Sequence, residues 1–224
     1  MKVPVEDLSR KARRQVESRW PAILAGLAIG VLFYAMPASL TFGPDWLMLV
    51  LIVIFAVPSS LAHKAGRADV NEILAYSLLG IVTLAVLSSL VLLVTRLPAH
   101  KDSPVELLRA AAALWIANIL VFASWYWRLD GGGPNARDKH GVHTDGAFLF
   151  PQMMMDQEKR RQMGEDAWSP GFVDYLFLAF NTSTAFSPTD VPVLSRWAKA
   201  MMIVQSLISL ATVALLAARA VNIL

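Results

Sequence analysis

The side chains best suited to coordinate an ion lie in one short stretch near the end of the chain. Its hydroxyl, amide and carboxylate groups belong to Asn181, Thr182, Ser183, Thr184, Ser187 and Asp190, with Phe186 among them. Rings of such polar groups contribute to ion selectivity in channels. The same side chains also cap helices or bond to neighbouring helices. The stretch therefore predicts either a pore lining or a structural polar cluster.

A second polar set lies in the apolar run that follows. Gln205, Ser209 and Thr212 fall at positions i, i+4 and i+7, which places them on one face of a helix. A water-lined path uses such a stripe, but hydrogen bonds between packed helices use the same residues. Asn118 is the strongly polar residue of another apolar run, and we expect it to bond a neighbouring helix.

The sequence gives little sign of other chemistry. His140 and His143 lie near two aspartates and are of a type that binds divalent metals, but this spacing in a polar, glycine-containing loop is more typical of solvated residues. We therefore predict no metal and no cofactor. The chain has no cysteine, no phosphate-binding glycine loop and no serine–histidine–acid set, so we predict that it is not an enzyme.

The composition is that of an integral membrane protein. Of 224 residues, 56% are hydrophobic and only 17% are charged, against about 25% charged in soluble domains. Crossing a hydrocarbon core of about 30 Å takes about 20 apolar residues. Five segments meet or approach that length: Trp20–Pro44, Trp46–Ala62, Ile73–Thr95, Ala110–Trp127 and Ala200–Ala218. These apolar segments make membrane lipid the expected surrounding of the chain. The net charge of +3 is too small to indicate a nucleic-acid partner.

A sixth apolar run, Tyr175–Phe186, is too short to span a membrane. Runs of about 10–14 residues are typical of re-entrant, interfacial or buried helices. The predicted fold is therefore all-α and polytopic, with five transmembrane helices and one re-entrant helix between the fourth and fifth. The chain divides into a basic N-terminal segment (1–19), a four-helix membrane region (20–128), a cytoplasmic loop (129–171), and the re-entrant helix with the final span (172–224).

The distribution of basic residues predicts the orientation. Lys and Arg number fourteen in the segments on one side of the predicted spans and two on the other. Because such residues concentrate in cytoplasmic loops, the N-terminus is predicted to be cytoplasmic. Within the first span, Gly26 and Gly30 form a Gly-x-x-x-Gly pattern that favours close packing of two helices.

The region Phe172–Leu224 resembles the pore module of potassium-channel-type proteins. It has a pore-helix pattern with a threonine-rich end, a Thr–x–Phe stretch (Thr184 to Phe186), Asp190, and an apolar closing span. The whole chain resembles more closely an uncharacterised bacterial family of small integral membrane proteins, whose closing span ends in Val–Asn–Ile, here Val221–Ile223.

These resemblances imply an ion-channel-like pore-loop protein of the bacterial inner membrane. It would form a homo-oligomer, with a tetramer favoured, and would pass monovalent ions. A potassium filter needs the carbonyls of a glycine-containing loop. Here the stretch Thr184–Asp190 has no glycine and contains a proline, so potassium selectivity is not expected. The alternative is a non-conducting membrane scaffold or partner-binding protein that keeps the pore-loop fold.

Overall fold

The computed structural model describes residues 17–96, 103–140, 146–165, 168–187 and 190–221. The regular elements in these ranges are helical, apart from an isolated β-bridge between Phe148 and Val193. The helices are α1 (Trp20–Tyr34), α2 (Leu47–Lys64), α3 (Ala68–Arg96), α4 (Pro104–Leu129), α5 (Gly133–His140), α6 (Gln157–Gln162), α7 (Phe172–Thr184) and α8 (Arg196–Val221). This confirms the all-α prediction.

Four helical stretches are long and apolar enough to cross a membrane: Leu47–Lys64, Ala68–Thr95, Pro104–Lys139 and Arg196–Ala218. They support a membrane protein. The predicted first span, Trp20–Pro44, is wrong in length, because α1 ends at Tyr34 after 15 residues. It rises about 22 Å, less than the about 30 Å of a hydrocarbon core. Pro37 explains the early end, since proline disfavours helical backbone in the residue before it and has no N–H to donate.

Helix α4 is the centre of the bundle. It begins at Pro104, where Ser103 and Glu106 form a capping box: the Glu106 N–H donates to Ser103 Oγ at 3.2 Å, and the Ser103 N–H donates to Glu106 Oε2 at 3.1 Å. Of its most apolar stretch, 61% is buried, against 11% for α2 and 28% each for α3 and α8. Helices α1 and α3 pack on α4, and so do α7 and α8. All of these helices are therefore positioned by contact with α4.

Helices α1, α2 and α3 form one group of neighbours. At Gly30 a Cβ atom would lie 2.8 Å from Leu49 Cδ1 and 3.2 Å from Leu49 Cα, so the glycine permits close contact between α1 and α2. At Gly26 the nearest atom, Ile52 Cγ2, would be 3.7 Å away, which is ordinary contact. The tight approach is thus at Gly30 and lies within one chain.

The segment predicted as a loop, 129–171, contains regular structure in its described part. A 3₁₀ turn (Asp130–Gly132) leads into α5, and a second one (Pro151–Met154) precedes α6. Gly133 has a φ of +84°, and a Cβ there would lie 2.6 Å from the Arg128 carbonyl oxygen, so the turn requires glycine. It folds α5 back against the C-terminal end of α4.

Candidate functional site

Helix α7 begins beside the C-terminal end of α4 and runs antiparallel to it. Near its start, the Phe172 ring lies 5.7 Å from that of Trp127. Near its end, the Phe180 ring lies 6.3 Å from that of Trp115, about halfway along α4. The Asp174 carboxylate accepts a hydrogen bond from the Gly171 N–H at 2.8 Å, which stabilises the first turn. The C-terminal end of α7 therefore lies beside the middle of α4.

The chain then returns to the end of α4 from which α7 started. The Leu149 N–H donates to the Pro192 carbonyl at 3.0 Å, and the Leu194 N–H donates to the Ala147 carbonyl at 2.8 Å. Phe148 lies between Ala147 and Leu149 in the chain, and its ring packs against the rings of Tyr126 and Trp197. Helix α8 therefore begins at the same end of the bundle as α7.

The N-terminus of α8 is capped by Ser195. The Ala198 N–H donates to Ser195 Oγ at 3.3 Å. This bond satisfies one of the N–H groups that the first turn of a helix leaves without a partner. The entering helix, the returning segment and α8 together form one unit, which we call the α7–α8 unit (residues 171–221).

Gln205 of α8 connects α8 to both α4 and α7. Its Oε1 accepts a hydrogen bond from Tyr126 Oη at 2.6 Å. Its Nε2 donates to the Ala179 carbonyl at 2.7 Å and to Ser183 Oγ at 2.8 Å. The Gln205 side chain is fully buried, so these bonds lie in an environment without competing water. The amide holds the last turns of α7 against the middle of the bundle.

A second set of bonds lies further along the same face of α8. Asn118 Nδ2 donates to Ser209 Oγ at 2.9 Å and to the Gln205 carbonyl at 3.2 Å. Thr212 is fully buried, and its hydroxyl donates to the Ile208 carbonyl of its own helix at 3.0 Å. The polar stripe therefore faces the interior of a single chain, and Asn118 bonds a neighbouring helix.

The residues predicted to line a pore separate into two sets. Thr182 and Ser183 are buried, as are Gln205, Ser209 and Thr212. The outward-facing set comprises Thr184, Phe186 and Asp190, which are exposed, with Asn181 and Ser187 half-buried. Phe186 has a φ of +53°, in the left-handed region that is uncommon for a residue with a side chain. The pore-lining role of both sets stays a prediction.

An open groove runs beside Phe186 and Ser187, just after the end of α7. Its volume is about 600 Å³, and its lining includes Thr182, Phe186 and Ser187 from the end of α7, and Lys199, Met202 and Ser206 from α8. The hydroxyl of Thr184 donates to the Phe180 carbonyl at 2.9 Å. Phe186 and Ser187 of the outward-facing set thus border an open groove, and Thr184 and Asp190 are exposed outside its lining.

A charged cluster at the C-terminal end of α4 was not predicted from the sequence. Arg137 of α5 pairs with Glu17, with Nε to Oε2 at 3.0 Å, and its Nη1 donates to the Trp127 carbonyl at 3.0 Å. Trp127 Nε1 also donates to Glu17. Burial raises the pKa of Glu17, and the Arg137 guanidinium and the Trp127 hydrogen bond act against that rise. The Gly131–Gly133 turn was the available signal, because it brings α5 back onto α4.

Neither histidine side chain considered as a metal ligand is among the described parts of the chain. His143 lies outside the described residues, and of His140 only the backbone is described. In the described part of the chain, no group of three or more His, Asp or Glu side chains is placed to hold a metal ion.

A comparison of the chain with protein-family models, with curated proteins and with solved structures finds no match. The resemblance to channel pore modules and to a bacterial membrane family stays a prediction. Function is therefore inferred from the geometry of the α7–α8 unit.

Proposed function

We propose that this protein is an ion-channel-like pore-loop protein of the bacterial inner membrane. The observation that carries this proposal is the path of the chain through the α7–α8 unit: α7 enters the bundle beside α4, ends at its middle, and the chain returns to its starting end before α8 begins. At 13 residues, or about 20 Å, α7 is too short to span a bilayer. This path fits a re-entrant helix that enters from the cytoplasmic side.

The end of α7 has the electrostatics of a cation site. Its C-terminal carbonyls carry about half a negative charge from the helix dipole. The hydroxyl of Thr184 lies at this end and Ser187 follows three residues later, while Asp190 lies on the segment that returns towards the start of α7. A cation there would meet side-chain oxygens rather than a glycine-containing carbonyl filter. One chain supplies one such end, so a conducting pore requires a ring of copies, for which we propose a tetramer.

In this proposal the buried residues have a supporting role. Gln205 holds α7 against α8 through two hydrogen bonds of 2.7–2.8 Å, and three more bonds of 2.6–3.2 Å, from Asn118 and Tyr126, join α8 to α4. Polar groups held in this way orient the end of a helix without contacting the ion. The permeant monovalent ion would therefore meet the outward-facing set. Gln205, Ser209 and Thr212 would hold the helices of the α7–α8 unit in position without contacting the ion.

A non-conducting membrane scaffold is the second candidate, and one observation favours it. Ser183, Gln205 and Ser209, which an open water path would expose, are fully buried and hydrogen-bonded within one chain. Such a network is also what packing of membrane helices produces without any transport. On this alternative, the α7–α8 unit keeps the pore-loop path as a rigid support for a partner.

Oligomeric mass and ion flux distinguish the two candidates. The purified protein is first sized in nanodiscs, then reconstituted into liposomes loaded with a cation-sensitive dye. A closed ring with cation flux supports the pore. A monomer without flux overturns it and favours the scaffold.

Two threonines form a matched pair for the flux assay. Thr184 and Thr95 are both exposed near a helix end, and each hydroxyl donates to the carbonyl four residues earlier at 2.9 Å. We expect Thr184→Val and Asp190→Asn to lower the flux severalfold and Thr95→Val to leave it unchanged. Equal flux in all three variants would contradict the assignment of the permeation path.

A further inference from the structure

A cavity on the opposite side of α4 has an unusual distribution of polarity. It lies among α1, α2, α3 and α4 and has a volume of about 230 Å³. Most of its wall is apolar, from residues such as Ile29, Ile52, Leu78 and Val82. One end differs, because Arg19, His63, Lys64 and Arg128 all line it there. These four come from the start of α1 and the C-terminal ends of α2 and α4, which meet at one end of the bundle.

The basic groups at this end are incompletely neutralised. No Asp or Glu is among the residues lining the cavity. Of the ion pairs between described residues, only Arg19–Asp138, at 2.7 Å, involves a lining residue. That pair uses Nη2 alone; Arg19 Nε and Nη1 are buried, and neither has a hydrogen-bond partner in the described chain.

Arg128, unlike Arg19, has no ion-pair partner in the described chain. Its guanidinium carbon lies 5.1 Å from the centre of the Trp127 ring, and it makes no ion pair with a described residue. Glu72 acts on Arg128 without forming an ion pair, and its carboxylate accepts a hydrogen bond from Asn135 at 3.0 Å. Arg128 is half-buried, and a guanidinium with no acidic partner beside an apolar cavity gains from an anion that accepts its hydrogen bonds.

We propose that this cavity binds an anionic phospholipid, with the phosphate at the basic end and an acyl chain along the apolar wall. Guanidinium groups form paired, charge-assisted hydrogen bonds with phosphate oxygens. Because the cavity lining has no carboxylate, a phosphate is the acceptor that Arg19 and Arg128 would share. Basic pockets between membrane helices are known sites for acidic lipid headgroups. A free phosphate shares the headgroup chemistry but leaves the apolar wall uncovered. This site is independent of the proposed pore.

Binding is measured on the intact wild-type protein in neutral detergent. The probes are phosphatidylglycerol, phosphatidylcholine of the same chain length, and inorganic phosphate, each titrated by thermal shift and by native mass spectrometry. We expect phosphatidylglycerol to bind at least about tenfold more tightly than phosphatidylcholine, because a net negative headgroup gains charge-assisted bonds. Equal affinity for the two lipids would overturn the proposal. A full response to inorganic phosphate alone would overturn the assignment to a lipid.

Substitutions locate the site. Arg128→Gln is expected to weaken phosphatidylglycerol binding about tenfold and to leave phosphatidylcholine binding unchanged. Arg67→Gln is the matched control, because Arg67 is an exposed arginine at the same end of the bundle that does not line the cavity. An equal loss in both variants would show general surface attraction and would overturn the site. If Arg128→Gln does not fold, the wild-type lipid comparison still decides the proposal.

Discussion

The two sides of α4 place polar residues in apolar surroundings in opposite ways. On the α7–α8 side, Gln205 and Asn118 meet partners from the same chain, at distances of 2.6–3.2 Å. On the α1–α3 side, Arg19 and Arg128 border a cavity with no acidic lining. On the first side, every polar atom of the Gln205 amide has a partner within the chain, and Asn118 Oδ1 is the exception. On the second side, Arg19 Nε and Nη1 are buried donors with no partner among the described residues.

The difference teaches how to separate structural from ligand-binding polar groups in a membrane protein. Lipid and protein interior are similarly apolar, so a polar residue in a membrane helix is not by itself evidence of a site. The informative feature is whether neighbouring helices supply the missing donors and acceptors. By that criterion Gln205 is structural, whereas Arg19, with two buried donors unpartnered in the described chain, and Arg128, without an ion pair there, are candidates for ligand binding.

The largest expected effect comes from removing the Gln205 amide. Gln205→Leu leaves Tyr126 Oη without its buried acceptor, and the Ala179 carbonyl and Ser183 Oγ without their donor. We expect a loss of about 2–3 kcal/mol in the free energy of unfolding, measured by thermal or SDS denaturation in micelles. Gln162→Leu is the control, because Gln162 is exposed at the end of α6. Equal stability of the two variants would mean that the α7–α8 side is not held by this network.

Two glycines test the packing of the other side, with opposite expected signs. Gly30→Val places a Cβ 2.8 Å from Leu49 Cδ1 and 3.2 Å from its Cα, so we expect a loss of about 2 kcal/mol from overpacking. Gly80→Ala meets no atom within 4 Å and should stabilise α3 by about 0.5–1 kcal/mol. Thermal denaturation of both variants provides the measurement. A stable Gly30→Val variant would refute the close contact between α1 and α2.

A smaller effect is expected from Arg128→Met in lipid-free detergent. The substitution removes a cation without an acidic partner in the described chain and keeps an apolar side chain of similar length. The unfolding free energy should change by no more than about 1 kcal/mol, in contrast with Gln205→Leu. Denaturation of both variants in one detergent tests the contrast directly. A loss as large as that of Gln205→Leu would show that Arg128 is satisfied within the chain.

The smallest expected effect is a pH dependence from Glu17. Burial raises the pKa of this carboxyl in the folded protein above its reference value of 4.5. The folded state then holds the proton more tightly than the unfolded state, so the stability contribution is present below pH 4.5 and is lost as the pH rises through the folded-state pKa. The midpoint of thermal unfolding should fall over that window, and Glu17→Gln should make the fall shallower. An unchanged slope would place the Glu17 carboxyl in water.

Much of the helical layout was predictable, since it depends on local composition. The helices α2 and α8 begin within a few residues of their predicted spans. The first segment was wrong because its apolar composition continues past Pro37, whereas the helix does not. Backbone chemistry, rather than hydropathy, decides that boundary.

The sequence by itself determined the all-helical class, the short α7 and four of the five predicted spans, because these follow from apolar run length and helix-ending residues. Only the tertiary structure decided that Gln205 faces Tyr126 and that Arg128 borders a cavity. Hydropathy depends on what each residue is, and not on which neighbour lies opposite it. In a chain whose helices are apolar on most faces, packing against α4 is what selects the face that becomes interior.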